Sequence, residues 1–150
     1  MTRINLISPE FLSDQHLLAE YRELPRIINS YKCNLYNPNK NFYKNIPTKY
    51  KLGTGHVKFF RNKIKFLLDR YKLLVKELLY RGFNISYYSE GVYNDLINIV
   101  MLDDNQIKEF TPSEEEIRIS QERIKEKLSI KPEWYKWTKR HSFMSMNEIV

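Results

Sequence analysis

Apolar residues recur at three- and four-residue steps along three stretches of the chain, and each stretch predicts a helix. The first carries Leu17, Leu18, Tyr21, Leu24 and Ile28 and predicts a helix from about Asp14 to Ser30, capped by Ser13 or Asp14. Pro25 falls inside that pattern and removes one backbone donor, so a kink or a restart is expected near Leu24. The second stripe, Phe60, Ile64, Leu67, Leu68, Tyr71, Leu74, Val75 and Leu78, predicts one helix from about His56 to Tyr80, closed by Gly82 as a left-handed cap. The third is marked by Thr111 as N-cap, Pro112 in the first turn and Glu114 three residues after the cap, a capping box. It continues through Ile117, Ser120, Ile124 and Leu128 and stops before Pro132. The segment from Tyr31 to Gly55 holds Pro38 and Pro47, has no sustained period, and reads mainly as loop. Between Phe83 and Phe110 the pattern is mixed, with a short helix expected from Tyr93 to Val100. The tail from Ser142 to Val150 is expected to be mobile.

Only 4 Gly and 6 Pro leave little material for hairpins, so the fold class is mostly α: a compact single domain over residues 1–150, three principal helices joined by long loops. A chain of 150 residues can bury one sizeable core, and 42% hydrophobic with 29% charged residues excludes a disordered or fibrous protein. Cys33 is the single cysteine and cannot close an intramolecular disulfide, which argues for a reducing compartment. No apolar run approaches a membrane span and the start lacks a signal peptide, so an intracellular protein without a membrane partner is expected. Lys and Arg number 25 against 18 Asp and Glu, net +7, which suits a polyanion such as nucleic acid or an anionic membrane surface.

Around the first helix, at about 100° per residue, Gln15, Arg22 and Arg26 form one polar line. His16 and Glu23 form a second beside it, with the small Ala19 between them. This face lets a substrate backbone approach closely, but spacing alone favours an ordinary solvated face with Glu23 and Arg26 as an ion pair. Thr2 follows Met1, and a small second residue permits methionine removal, which would leave a free Thr2 α-amine. With a reference pKa of about 7.7 to 8.0, such an amine has a neutral fraction near pH 7 that can attack an electrophilic carbon. For an arbitrary protein the ordinary reading, a solvated terminus, wins. Near the other end, Trp134, Tyr135 and Trp137 alternate with Lys136, Lys139, Arg140 and His141, which fits either stacking on nucleic acid or a packed terminal segment. Arg123 and Lys127, four apart, make a phosphate clamp or pair with Glu126 or Glu122. His56 has no second His or Cys at ligand spacing, so no metal is assigned, and Gly53 and Gly55 lack a Walker-type Lys-Ser/Thr.

Several ordered blocks together resemble the bacteriophage-type pyrimidine-dimer DNA glycosylase and AP lyase family, often called endonuclease V. They are MTRINL at the start, Asp14 to Arg26, Leu52 to Phe60, Arg81 to Ile85, Ile119 to Lys127 and Pro132 to Lys136; the sequence departs from the pattern at Tyr31 to Lys51, Ser86 to Phe110 and beyond Trp137. The resemblance implies that the Thr2 amine is the nucleophile and Glu23 the essential carboxylate, reversing both ordinary readings. It implies DNA-binding roles for Arg3, Gln15, His16, Arg22, Arg26, Arg123 and Lys127, and the basic aromatic run adds Trp134 and Lys136. It further implies a DNA repair enzyme that excises the 5′ base of a cyclobutane pyrimidine dimer and cleaves the abasic site by β-elimination through an imine, without metal or other cofactor. The expected partner is double-stranded DNA bearing dimers or abasic sites, kinked with the base opposite the lesion flipped, and undamaged DNA during scanning by a monomer. The competing reading from another class is a non-catalytic DNA-binding module using the same basic faces, with a metal nuclease third.

Overall fold

The computed structural model describes residues 3–85, 90–92, 94–95, 97–98 and 109–140; the tail expected to be mobile lies outside them, as does most of the segment between Ser86 and Glu109. Among the described residues the regular structure is helical with no strand, in line with the mostly α expectation, and no helix is long and apolar enough to cross a membrane.

Helix α1, Asp14–Tyr36, opens at Ser13, whose backbone is extended and whose Oγ accepts the His16 amide at 3.1 Å. It runs through the buried Pro25 and continues past the expected end at Ser30. Proline costs one backbone bond, whereas the face carrying Leu24, Ile27, Ile28 and Tyr31 is buried on both sides of it. Tyr31 anchors the added turn by donating its hydroxyl to the Phe60 carbonyl at 2.6 Å.

The single helix expected from His56 to Tyr80 is divided into α2, His56–Phe59, a 3-10 turn, Phe60–Asn62, and α3, Ile64–Tyr80. The break falls directly after the buried pair Phe59 and Phe60. Lys63 takes up the break with φ −123° and ψ 39°, its Nζ donating to the Phe59 carbonyl at 2.9 Å and to Asn62 Oδ1 at 2.8 Å. Gly82, at φ 93°, ends α3 as expected: its amide bonds Leu79 and the Phe83 amide bonds Leu78, a Schellman motif. Residues 90–92, 94–95 and 97–98 are helical, close to the short helix expected there.

Helix α4, Glu114–Ile130, has its capping box two residues later than expected, at Ser113 and Glu116 rather than Thr111 and Glu114. A tertiary bond selects that register. Glu116 Oε1 accepts the Ser113 amide at 3.1 Å while its Oε2 accepts the Tyr50 amide at 2.7 Å, tying the helix start to the loop before α2.

α1 lies along α3, with Tyr21 stacked on Tyr71. Between the helices runs the extended N-terminal segment, where Ile4 and Ile7 are buried. Having no helix or strand partner, this segment bonds to side chains. The Ile4 amide donates to His56 Nε2 at 2.8 Å, the Ile4 carbonyl accepts from the Tyr50 hydroxyl at 2.7 Å, and the Leu6 amide donates to Ser120 Oγ at 3.0 Å. Asn5 donates to Glu20 Oε1 at 2.8 Å, and Glu20 accepts Arg70 Nε at 2.6 Å and Nη2 at 2.9 Å. Arg70 Nη1 then reaches the Ile7 carbonyl at 2.6 Å.

The C-terminal segment is held by the start of α1. The Asp14 amide donates to the Lys136 carbonyl at 2.7 Å, and its carboxylate accepts Arg81 at 2.8 Å and both the amide and the hydroxyl of Thr138. Arg140 completes the attachment with a two-point bond to Glu77, at 2.6 and 2.8 Å.

Two outcomes are expected. Glu20→Ala leaves the Arg70 guanidinium buried without its carboxylate, so urea unfolding at pH 7.5 should show a loss of about 3–5 kcal/mol. For pH, burial first, then neighbouring cations, lowers His56 to about 4, and His16 is lowered to about 4 by burial, Arg123 and Lys127. Both histidines bind more protons unfolded than folded between their ordinary 6.5 and 4, so this stabilisation is complete above pH 6.5 and is lost as pH falls toward 4. Each should remove about 2 to 3 kcal/mol between pH 7 and 4.5, read from urea midpoints at fixed ionic strength; a flat profile would contradict it.

Candidate active site

The N-terminal segment, α1 and α4 meet at Glu23. Its side chain projects from α1, half-buried, and Oε2 accepts the Arg3 amide at 2.7 Å. Thr2 lies outside the described residues, but the Arg3 amide nitrogen is the atom that joins the two residues, so the carboxylate is bonded one residue from Thr2. Arg123 reaches into the same place from α4. It sits 3.5 Å from Asn5 Oδ1, and burial followed by the Arg3 charge lowers its pKa, while Tyr50, Glu23 and Glu20 work the other way. Arg3 and Glu23 thus both act on the Arg123 guanidinium, although the three are far apart in sequence.

His16 connects this group to the C-terminal segment. Its ring lies parallel to Tyr135, centroids 4.8 Å apart, and Nδ1 is 2.8 Å from Ser13 Oγ. Its lowered pKa keeps the ring neutral at physiological pH, close to the Arg123 and Lys127 cations of α4. Gln15 uses both ends of its amide on the segment beyond α4: Nε2 donates to the Trp134 carbonyl at 2.7 Å and Oε1 accepts the Lys136 amide at 3.1 Å. The side chain expected in a DNA-contacting line is therefore engaged in holding the Trp134–Lys136 backbone.

Arg22 and Arg26 are exposed on α1, as is Ala19, and neither arginine is paired with another described residue. The ordinary Glu23–Arg26 ion pair is not formed, because Glu23 turns to the Arg3 amide. Lys127, Trp134 and Lys136 are also exposed, so the basic aromatic run divides. Trp134 is 57% exposed and meets Tyr135 edge-on, whereas Trp137 packs against the core and donates Nε1 to the Phe11 carbonyl. The packed reading of that run holds for Trp137, and Trp134 is left exposed.

Reading the sequence for chemistry passes over Asn5, Glu20, Arg70, Tyr50 and Ser120, which hold the N-terminal segment in place. One signal was present: Glu20 and Arg70 are opposite charges lying next to Leu17 and Tyr21 in one helical stripe and to Leu67, Tyr71 and Leu74 in the other. His56, considered as a metal ligand and set aside, is instead bonded at both ring nitrogens, Nε2 by the Ile4 amide and Nδ1 to the Lys51 carbonyl at 2.8 Å.

The sequence model of the family described as pyrimidine dimer DNA glycosylase matches residues 1–89, more than half of the chain. That span holds Arg3, Gln15, His16, Arg22, Glu23 and Arg26, together with His56 and Arg70, which order the N-terminal segment; Arg123, Lys127, Trp134 and Lys136 lie beyond it. A carboxylate bonded beside the chain start, on a helix whose outer face presents arginines, agrees with that match, and the chain belongs to the pyrimidine dimer DNA glycosylase family, DNA repair enzymes that act on pyrimidine-dimer-containing DNA.

Proposed function

We propose that this chain is a glycosylase with AP lyase activity whose nucleophile is the α-amine of Thr2, exposed by removal of Met1. The observation that carries the reading is the 2.7 Å bond from the Arg3 amide to Glu23, which ties the essential carboxylate to the residue next to the nucleophile. The amine nitrogen bonds to C1′ of the 5′ nucleotide of the dimer, and the glycosidic bond breaks with its electron pair leaving on the base, which is then protonated. Loss of an amine proton and opening of the sugar ring give an imine. The imine accepts the electrons released when a C2′ proton is lost, the C3′–O bond breaks, and the 3′ phosphate departs. Water then hydrolyses the imine and frees the enzyme. Glu23 moves the protons and stabilises the cationic intermediates.

The DNA is held by exposed groups on several elements. Arg22 and Arg26 take phosphates from α1, Lys127 from α4 and Lys136 from the segment beyond it, and Trp134 offers a stacking surface. Arg3, His16 and Arg123, more enclosed, meet the nucleotide nearer the reaction, and Gln15 contributes by fixing the Trp134–Lys136 backbone. The enzyme works as a monomer, in a single domain, and scans undamaged DNA through salt-sensitive phosphate contacts.

Glu23→Gln keeps the size of the side chain and removes its charge and proton-accepting ability. Lesion binding should stay within a few fold of wild type while single-turnover strand cleavage falls by about a hundredfold or more; near-normal cleavage would remove Glu23 from its role. A second experiment compares three forms, verified by mass spectrometry, on one dimer-containing duplex with borohydride: processed, acetylated at Thr2, and retaining Met1. Only the processed form should give a covalent adduct, because acetylation removes the basic lone pair and an added residue displaces the nitrogen by about 3.5 Å. An adduct from the acetylated form at the wild-type rate would assign the nucleophile to a lysine, and no adduct from any form would favour a non-catalytic DNA-binding module.

A further inference from the structure

Two side chains outside the Glu23 centre converge on one residue of the N-terminal segment. His56 Nε2 accepts the Ile4 amide at 2.8 Å, and the Tyr50 hydroxyl donates to the Ile4 carbonyl at 2.7 Å, so both backbone polar groups of Ile4 are gripped from the same element, the loop and short helix before α3. The grip is itself fixed. His56 Nδ1 donates to the Lys51 carbonyl at 2.8 Å, which sets the tautomer that leaves Nε2 as an acceptor, and the Tyr50 ring packs edge-on against His56, Phe59 and Phe60. His56 is 1% exposed and Tyr50 2%, so neither reaches a DNA surface.

Ile4 is two residues from Thr2, at most about 7 Å of extended chain, and the apolar Ile4 side chain alone would tolerate sliding of the segment. A paired donor and acceptor on the same residue does not, since any shift breaks both bonds in a place that water does not reach. We propose that His56 and Tyr50 are positioning residues for the reaction: together they clamp Ile4 and so set the register in which the chain start meets Glu23. This rests on the reading of the Thr2 amine as nucleophile.

The alternative is that the two side chains merely satisfy buried backbone groups and stabilise the fold, and near-isosteric variants separate the two. In His56→Gln the amide oxygen falls near the position of Nε2 and still accepts the Ile4 amide. In His56→Asn the amide falls near Nδ1, keeps the Lys51 bond, and loses Ile4. Tyr50→Phe removes one oxygen and keeps the ring against its three aromatic neighbours. For wild type and each variant, the experiment measures affinity for a dimer-containing duplex and the single-turnover rate of borohydride trapping.

Tyr50→Phe and His56→Asn should bind the duplex within about twofold of wild type yet trap about tenfold to a hundredfold more slowly, while His56→Gln traps within about threefold of wild type. Trapping that is unchanged in Tyr50→Phe and His56→Asn, or that falls only in step with binding, overturns the proposal. So does a His56→Gln variant as slow as His56→Asn. Should His56→Asn fail to fold, Tyr50→Phe decides by the same criteria. Absence of any adduct from the wild type is a different result: it sinks the terminal-amine reading, and this inference with it, whereas a trapping wild type with insensitive variants sinks this inference alone.

Discussion

A buried chain segment that forms neither helix nor strand must find a separate partner for each amide and carbonyl, and five such groups in residues 3–7 bond to side chains. Glu23 and Glu20 from α1, Tyr50 and His56 from the region before α3, Arg70 from α3 and Ser120 from α4 each take one or more polar groups of that segment. The helices are consequently joined through the segment as much as through direct contact. Removing it would take from His56 Nε2 and from Arg70 Nη1 their partners in the interior, at a cost that apolar packing does not offset. The position of the chain start is therefore coupled to the stability of the whole fold.

Charge is arranged with the same economy. Two acids on one face of α1 have different surroundings: Glu20 is buried and neutralised by Arg70, and Glu23 is half-buried among Arg3, Arg123 and the Arg3 amide. The first holds helices together, leaving the second as the carboxylate that faces the chain start. The two histidines near the site, both lowered to about 4, add no positive charge at neutral pH. Attraction for a polyanion thus comes from arginines and lysines, whose charge does not vary over the physiological range.

Helical periodicity made α1, α3, α4 and their faces legible, because burial of one stripe is what stabilises such helices. It identified the polar face on which Glu23, Arg22 and Arg26 lie, and Gly82 as the αL cap. It did not reveal the break at Phe60–Lys63, since a stripe containing Phe60 and Ile64 reads as continuous. Nor did it distinguish two adjacent capping boxes, where the choice of Ser113 depends on a bond from Glu116 to the distant Tyr50. The side chains that hold the N-terminal segment escaped for the same reason: each acts on a partner 15 to 114 residues away, and local pattern carries no information about such pairs. The assignments of Glu23 and of the α1 arginines rested on family resemblance, because a solvated helix face has the same spacing.

The two-ended grip of Gln15 on Trp134 and Lys136 bears on how the protein meets a flexible polymer. Residues 131–140 have no helix or strand of their own, yet Gln15, Asp14 and Glu77 fasten them at several points. Their conformational entropy is surrendered when the protein folds, not when it binds. An aromatic side chain on a loose tail would have to be ordered at each encounter, weakening every transient contact made while moving along a duplex. Fastened to α1, Trp134 instead travels as an extension of the helix that bears Glu23, so the distance between its exposed ring and that carboxylate is already set before any DNA arrives.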